Sequence, residues 1–376
     1  MSELEQINSN VILKTREQKY EHELSIQPKV CDQYKTGRCW IFASLNCMRL
    51  QIIKEYNLDL DFEFSANYLF FWDKYERCKY FLTEFPNFNE TDEMYNQMLF
   101  SPVTDAGQWN MFVNLVNKYG VVPKTCFEET YSSKSSKSLN KLLNNKLKKS
   151  IINSDPIHET MAKIYKILIK YLGDPPSYVK WEEFNISPKK YYMTCIKPYY
   201  DVNNFVNLIN DPRNEYNEFY TVDNLTNMIN TRGPIYYNMS MDKLIKYTKK
   251  SIKADEPVWF TCDMSKYTSN LYCVNGPSFF KNSIKDELTK KERLTMLDSS
   301  ITHAMVLHGF SKDKWKIENS WGSIGINNGY YIADNTWIKQ YVYQMIIPRK
   351  LVQKLPHVKT PKQLPYFDPF GFINVI

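Results

Sequence analysis

The sequence lacks several features that would place a chain of 376 residues in a common class. None of its eight cysteines forms a CxxC pair, so neither a disulfide framework nor a zinc-binding framework is predicted. No stretch approaches the roughly 18 uncharged apolar residues of a transmembrane helix, so we expect no membrane span. Residues 1–25 are charged throughout and lack an apolar segment, so we expect a cytoplasmic rather than a secreted protein.

Glycine is also scarce, at 11 residues, which we interpret as a compositional bias. The composition that remains, 43% hydrophobic and 24% charged residues, is typical of a globular protein. The chain is long enough for two or three packed units. A net charge of +7 permits contact with nucleic acid without requiring it.

Helical patterns fill the first part of the sequence and strand patterns the last part. Apolar periodicity predicts helices over 40–56, 64–82, 107–119, the second part of 131–155, 157–172, 188–193 and 223–230. From Gly233 onward the apolar runs are short and alternating, with Asn327-Asn328-Gly329 suited to a tight turn between two strands. This segregation of helices from strands predicts an α+β fold.

The same pattern divides the chain into four regions. They are an N-terminal helical region (1–130), a helical insertion (131–232), a β-rich region (233–350) and a C-terminal arm (351–376). The arm contains several prolines and no periodicity, which favours an extended conformation.

Cys39 lies where a loop turns into an apolar helix, in the stretch DQYKTGRCWIFASLN (32–46). The first turn of a helix has unpaired N–H groups and a positive dipole end, which favour a thiolate. We therefore expect this position to lower the pKa of Cys39 below its free value of about 8.5. The alternative is an ordinary buried thiol, since free cysteine packs as a small hydrophobe.

A base for this thiol is available in the β-rich region. His303 and His308 lie an odd number of residues apart on one predicted strand, so they face opposite sides and do not suit a shared metal site. Asn319 follows on the next predicted strand, after a short loop, so its amide oxygen could fix the His303 ring. Without this context, a lone histidine in an apolar strand is more often a core residue.

Gln33 and Trp321 complete the constellation. The Gln33 amide and the Cys39 backbone N–H could form an oxyanion hole of two donors. The indole of Trp321 could cover the hydrogen bond between His303 and Asn319. Each signal is weak alone, but together they match the requirements of a cysteine nucleophile with an oriented base.

These residues give the sequence a resemblance to papain-like cysteine peptidases, and more closely to their bleomycin hydrolase and aminopeptidase C branch. The segment SGRCW of that branch stands here as TGRCW, with Gln33 at the expected offset. The resemblance extends through PVTDAGQWNMFVNLVNKYG, LINDPR, PVWFTCD, THAM, ENSWG and LPYFDPFG, from about residue 30 to the end. The family fold is a pair of lobes, one helical and one β-barrel-like, so we expect the same papain-like two-lobe fold here.

The resemblance also implies roles for individual residues. Cys39 would be the nucleophile, His303 the general acid/base, Asn319 the orienting residue and Gln33 the oxyanion donor. We assign Gly107, Ala106, Trp321 and Ile376 to substrate binding, with the terminal carboxylate of Ile376 pairing with the α-amino group of a peptide. No metal and no organic cofactor is implied. The resemblance further implies that the helical insertion (131–232) mediates oligomerisation into a homohexamer, with the C-terminal arm in the cleft.

Two departures from the family pattern and two alternative functions stay open. Ala106 stands where the family usually has glycine, and the tail runs five residues past Gly371. The chain could instead be a nucleic-acid-binding or chaperone-like hexamer with incidental peptidase activity, using the basic stretch 134–149. That stretch is most simply a solvated helix face. A non-catalytic family member is disfavoured by the intact Gln, Cys, His and Asn set.

Overall fold

A computed structural model describes residues 19–222, 224–281, 288–352, 355–356 and 360–371. Its α-helices are α1 (Cys39–Tyr56), α2 (Ala66–Glu84), α3 (Glu93–Phe100), α4 (Trp109–Tyr119), α5 (Lys137–Ile152), α6 (Ile157–Leu172), α7 (Pro188–Tyr191), α8 (Met241–Lys253), α9 (Lys290–Thr295) and α10 (Asn335–Tyr341). No helix in these residues is long and apolar enough to cross a membrane.

The strands run from the N-terminal region to the C-terminal arm. They are β1 (His22–Glu23), β2 (Val179–Trp181), β3 (Phe184–Ile186), β4 (Phe205–Ile209), β5 (Phe219–Val222), β6 (Ile235–Asn238), β7 (Val258–Cys262), β8 (Thr268–Ser269), β9 (Val274–Asn275), β10 (His303–Phe310), β11 (Lys314–Glu318), β12 (Tyr330–Asp334), β13 (Val342–Pro348) and β14 (Lys362–Leu364).

One mixed sheet joins most of these strands, in the order β14-β5-β6-β4-β13-β7-β10-β11-β12-β9-β8, with β1 added beside β10. Its centre is antiparallel, since β13 and β10 flank β7 and β11 flanks β10. All residues of β10 are buried, so this strand lies deep in the molecule. It carries His303 at its first position.

The two faces of β10 belong to two different hydrophobic cores. Ala304 and Val306 pack with α1, α2 and α4–α6 in the larger core. Met305 and Leu307 pack with α8 and α10 in the second core. The expected alternation along this strand is confirmed, and helix α1 lies directly against the sheet, with the Trp259 indole donating to the Trp40 carbonyl at 3.3 Å.

The predicted segregation of helices and strands is confirmed, with local differences. The helix expected over 223–230 is wrong, because residues 224–230 form turns, and the helix over 188–193 is α7 followed by a π-helical turn, Tyr192–Ile196. Strands β4 and β5 lie within the range that we assigned to a helical insertion, and both join the main sheet. In short apolar runs such as β4, tertiary pairing decides the conformation.

Candidate active site

The loop before α1 is held by buried side chains that fix the position of Cys39. Arg38 is buried and pairs through both terminal nitrogens with Glu129, each at 3.0 Å. The Trp40 indole donates to the Asp105 carbonyl at 2.7 Å. Cys39 is therefore the first residue of α1, as the sequence predicts.

The predicted base and its partner meet across neighbouring strands. His303 Nε2 lies 2.7 Å from Asn319 Oδ1, at the ends of β10 and β11 where they leave the sheet. The rings of Trp321 and His303 have centroids 4.8 Å apart, so the indole covers this hydrogen bond. Because Asn319 uses Nε2, the other ring nitrogen, Nδ1, is left for a second partner.

Ser320 connects this pair to Gln33. The backbone N–H of Ser320 donates to Asn319 Oδ1 at 2.8 Å, and its hydroxyl donates to Gln33 Oε1 at 2.5 Å. One hydrogen of the Gln33 amide donates to the Thr36 carbonyl at 2.8 Å, and the other has the freedom to meet a ligand. Sequence reasoning did not single out Ser320 as the link between these residues, although it stands inside the quoted ENSWG motif.

The Cys39 thiol lies near the backbone N–H of Ala304, the residue that follows His303. The sulfur is nevertheless fully enclosed, since Cys39 has no exposed surface. The structure thus brings Cys39, His303, Asn319, Gln33 and Trp321 together in one site.

Our expectation of a lowered Cys39 pKa is wrong in this enclosed site. Burial raises the pKa of the Cys39 thiol to about 12, although the backbone N–H groups of Ala304, Trp40 and Cys39 itself act in the opposite direction. Burial also lowers the pKa of His303 to about 4, against the opposing effect of the Asn319 hydrogen bond. Loss of hydration outweighs the helix terminus, so a neutral thiol and a neutral imidazole are favoured.

The segment 104–107 forms the helical side of the site. Lys74 donates to the Thr104 carbonyl and to Asp105 Oδ1, each at 2.6 Å, and Arg77 donates to the Ala106 carbonyl at 2.6 Å. Gly107 packs so closely on the Trp40 ring that a Cβ there would lie 2.4 Å from it. Glycine at this position is thus explained by packing, whereas its proposed contact with substrate stays a prediction.

A cleft of about 1520 Å³ opens beside these residues. It is lined by Gln33, Thr36, Gly37, Thr302, His303 and Trp321, and helix α5 borders it with Lys137, Lys141 and Lys148. Three lysines of the basic stretch 134–149 are therefore turned toward the candidate active site. The described residues contain no cluster of three or more His, Cys, Asp or Glu side chains that could hold a metal ion.

A second cavity of about 900 Å³ adjoins the cleft and is lined in part by the C-terminal arm. Ala106 and Gly37 line it together with Phe367, Asp368 and Pro369. Among the residues that the structure describes, Gly107 lines neither of these two cavities. Ile376, which we assigned to substrate binding, lies outside the described residues.

Three contacts hold the arm in place. Arg213 pairs with both carboxylate oxygens of Asp368 at 2.9 Å, and it also binds Asp211. Tyr236 donates to the carbonyl of Phe370, a fully buried residue, at 2.8 Å. Sequence reasoning quoted LINDPR and LPYFDPFG separately, and the structure shows that an arginine in one holds an aspartate in the other.

Comparison with known proteins identifies relatives over most of the chain. A sequence model of the Peptidase C1-like family matches residues 2–371. Bleomycin hydrolase from Gallus gallus is 36% identical over 403 residues, covering 94% of this chain and 88% of that protein. Aminopeptidase C from Listeria monocytogenes is 34% identical over 394 residues, covering 94% and 88%. The crystal structure of PepW from Lactobacillus rhamnosis superposes with a TM-score of 0.88 and 30% identity, covering 97% of this chain and 90% of that one.

Proposed function

Because the chain belongs to the Peptidase C1-like family and is a papain-like cysteine peptidase, we propose that it removes N-terminal residues from peptides, with Cys39 as its nucleophile. The observation that carries this proposal is the hydrogen bond of 2.7 Å between His303 Nε2 and Asn319 Oδ1. It orients the imidazole so that Nδ1 is available to the thiol at the start of α1. Relatives named bleomycin hydrolase and aminopeptidase C support the choice of reaction.

The chemistry follows from these positions. His303 Nδ1 accepts the thiol proton as Cys39 Sγ attacks the carbonyl carbon of the first peptide bond. The oxyanion that forms accepts hydrogen bonds from the Cys39 backbone N–H and from Gln33 Nε2. His303 then donates its proton to the leaving amine, and water hydrolyses the thioester by the same route. Since burial favours the neutral pair, proton transfer accompanies the attack on substrate.

Replacement of the nucleophile tests this assignment. Cys39→Ser should lower the release of a fluorophore from a neutral aminoacyl reporter by at least about 10³-fold, because a hydroxyl is far less acidic than a thiol. Cys47→Ala, at a buried thiol two turns along the same helix, is the matched control and should keep the wild-type rate. If Cys39→Ser kept a tenth of the rate, another residue would be the nucleophile.

We assign the preference for amino termini to the C-terminal arm. The support is that Phe367, Asp368 and Pro369 of the arm line the same cavity as Ala106. There the arm would block any peptide residue on the amino-terminal side of the residue to be released. Arg213, Tyr236 and the β14 pairing with β5 hold it there. The terminal carboxylate of the chain would pair with a free α-amino group, a contact that an internal peptide bond cannot make.

Truncation of the arm tests this assignment. Deletion of residues 371–376 should raise the cleavage of N-acetylated peptides relative to free peptides, because the block is removed while the anchors stay. An unchanged ratio of the two rates would show that the arm does not set specificity. The expected homohexamer and cytoplasmic location stay predictions, and a mass measurement on the purified protein checks the assembly.

A further inference from the structure

The lysines of α5 form a single face of that helix. Lys137, Lys141 and Lys148 follow at spacings of four and seven residues, so they project on the same side. The opposite side, Leu139, Leu143 and Leu147, is fully buried in the larger core. The lysine face is therefore held toward the cleft by the packing of the leucines.

Two asparagines between these lysines fix the helix to the cleft wall. Asn140 donates to Asp105 Oδ1 at 2.7 Å, and Asn144 Oδ1 accepts from the Val103 N–H at 2.8 Å. Residues 103–105 continue into the segment that packs on Trp40, beside the nucleophile. The lysines therefore lie on a helix, α5, that is hydrogen-bonded to the segment beside the candidate site.

The positive charge of this face is not neutralised within the described part of the chain. No described carboxylate lies within ion-pair distance of Lys137, Lys141 or Lys148. Asp105 lines the same cleft, but its carboxylate is already bound by Lys74 at 2.6 Å. Met264, Ser265, Thr268 and Asn270, which also line the cleft, carry no charge, and Lys35 adds a fourth ammonium group to the lining.

From this arrangement we propose that the protein selects peptides with acidic side chains on the carboxyl side of the cleaved bond. The inference rests on the proposed function, in which the first residue of the peptide occupies the cavity that Ala106 and the arm line. The rest of the peptide then extends along the cleft that contains Gln33, Trp321 and the lysine face. Aspartate or glutamate carboxylates there meet the positive field of the lysines beside uncharged lining residues.

Two matched pentapeptides test the proposal. Both have a free amino terminus and the same first two residues, and they carry either two aspartates or two asparagines at the third and fourth positions. The measured quantity is the ratio of kcat/KM for release of the first residue. In the wild type at low salt we expect about a tenfold preference for the aspartate peptide, from several weak ion pairs. Salt of about 0.3 M should remove most of it by screening.

The variants assign the preference to the lysine face. In K137Q/K141Q/K148Q the ratio should fall close to one. In K146Q/K149Q, which removes two lysines of the same helix that do not line the cleft, the wild-type ratio should persist. A wild-type ratio near one, or a ratio unchanged in K137Q/K141Q/K148Q, would overturn the proposal.

Three further measurements separate this proposal from the alternatives. Binding of both peptides to the Cys39→Ser protein by calorimetry gives the same ratio without turnover, so it tests the lysine face even if the proposed reaction is wrong. Hydrolysis of the asparagine peptide by the wild type tests the proposed function without testing the lysine face. Competition by a single-stranded oligonucleotide, with equal binding of the two peptides, would assign the lysines to nucleic acid and overturn the peptide proposal.

Discussion

Two histidines on one strand have different partners on the next. His303 bonds to Asn319 at 2.7 Å, and His308 bonds to Glu318 at the same distance. The two partners are consecutive in sequence and point to opposite faces of β11. One pair borders the cleft beside Cys39, whereas the other is completely enclosed beneath α1. The two hydrogen bonds are thus equally long, and the pairs differ in their surroundings and in the chemistry of the partner.

The enclosed pair is part of a buried charge network. Arg49 of α1 donates to Glu318 Oε1 at 2.5 Å, which joins the helix to the sheet. Burial raises the pKa of Glu318, but Arg49 and the His308 hydrogen bond outweigh burial and hold that pKa below its ordinary value. A carboxylate therefore stays charged here. Beside His303 the partner is a neutral amide, so only a hydrogen bond opposes the desolvation of an imidazolium, and the pKa of His303 is lowered.

The largest expected effect comes from breaking the pair at the cleft. His303→Ala should lower kcat/KM by about 10⁴-fold, since the nucleophile and base act as a unit. The melting temperature should change little, because the neutral pair leaves no buried charge unpaired. Comparable losses of activity on His303→Ala and His308→Ala, measured per folded molecule, would contradict the distinction between the two histidines.

Breaking the enclosed pair should instead cost stability. Glu318→Gln leaves the Arg49 guanidinium buried without a carboxylate, which should destabilise the fold by about 3–5 kcal/mol. Urea unfolding measures the loss, and the activity of the folded fraction should stay within a few-fold of wild type. The control is Glu256→Gln, at a residue whose salt bridge to a largely exposed lysine should contribute about 1 kcal/mol or less.

The role of Gln33 sharpens the comparison, because Ser320 links it to the catalytic pair. Gln33→Ala should lower kcat by roughly 10²–10³-fold through loss of one oxyanion donor, with little change in KM. Ser320→Ala, which keeps the donor but frees its orientation, should have a smaller effect. A raised KM with unchanged kcat in Gln33→Ala would move Gln33 from the oxyanion hole to substrate binding.

The comparison also indicates what a sequence can predict. Cys39, His303 and Asn319 are recognisable because each stands at the start or end of a strongly patterned element, where loop and periodicity signals agree. The link between Arg213 and Asp368 joins residues 155 positions apart, and no local pattern encodes such a pairing. The predicted direction of the Cys39 pKa shift was wrong for the same reason. The start of the helix can be read from the local sequence, whereas burial depends on the tertiary structure.

The smallest effect is expected from a substitution that makes the pair at His303 resemble the pair at His308. Asn319→Asp places a carboxylate at His303, as Glu318 does at His308, and should reduce kcat/KM at neutral pH by only several-fold. Its signature is the pH profile. In the wild type the low pKa of His303, about 4, should keep the acid limb of kcat/KM well below pH 6.5, because the base loses its function only when the ring is protonated. A carboxylate stabilises the imidazolium, so in Asn319→Asp the His303 pKa should rise and the acid limb should move to higher pH.

Asn319→Ala is the matched control with the opposite sign: it removes the hydrogen bond that favours the imidazolium, so its acid limb should not move upward. An acid limb that stays in place in Asn319→Asp would show that the partner does not control the protonation of His303.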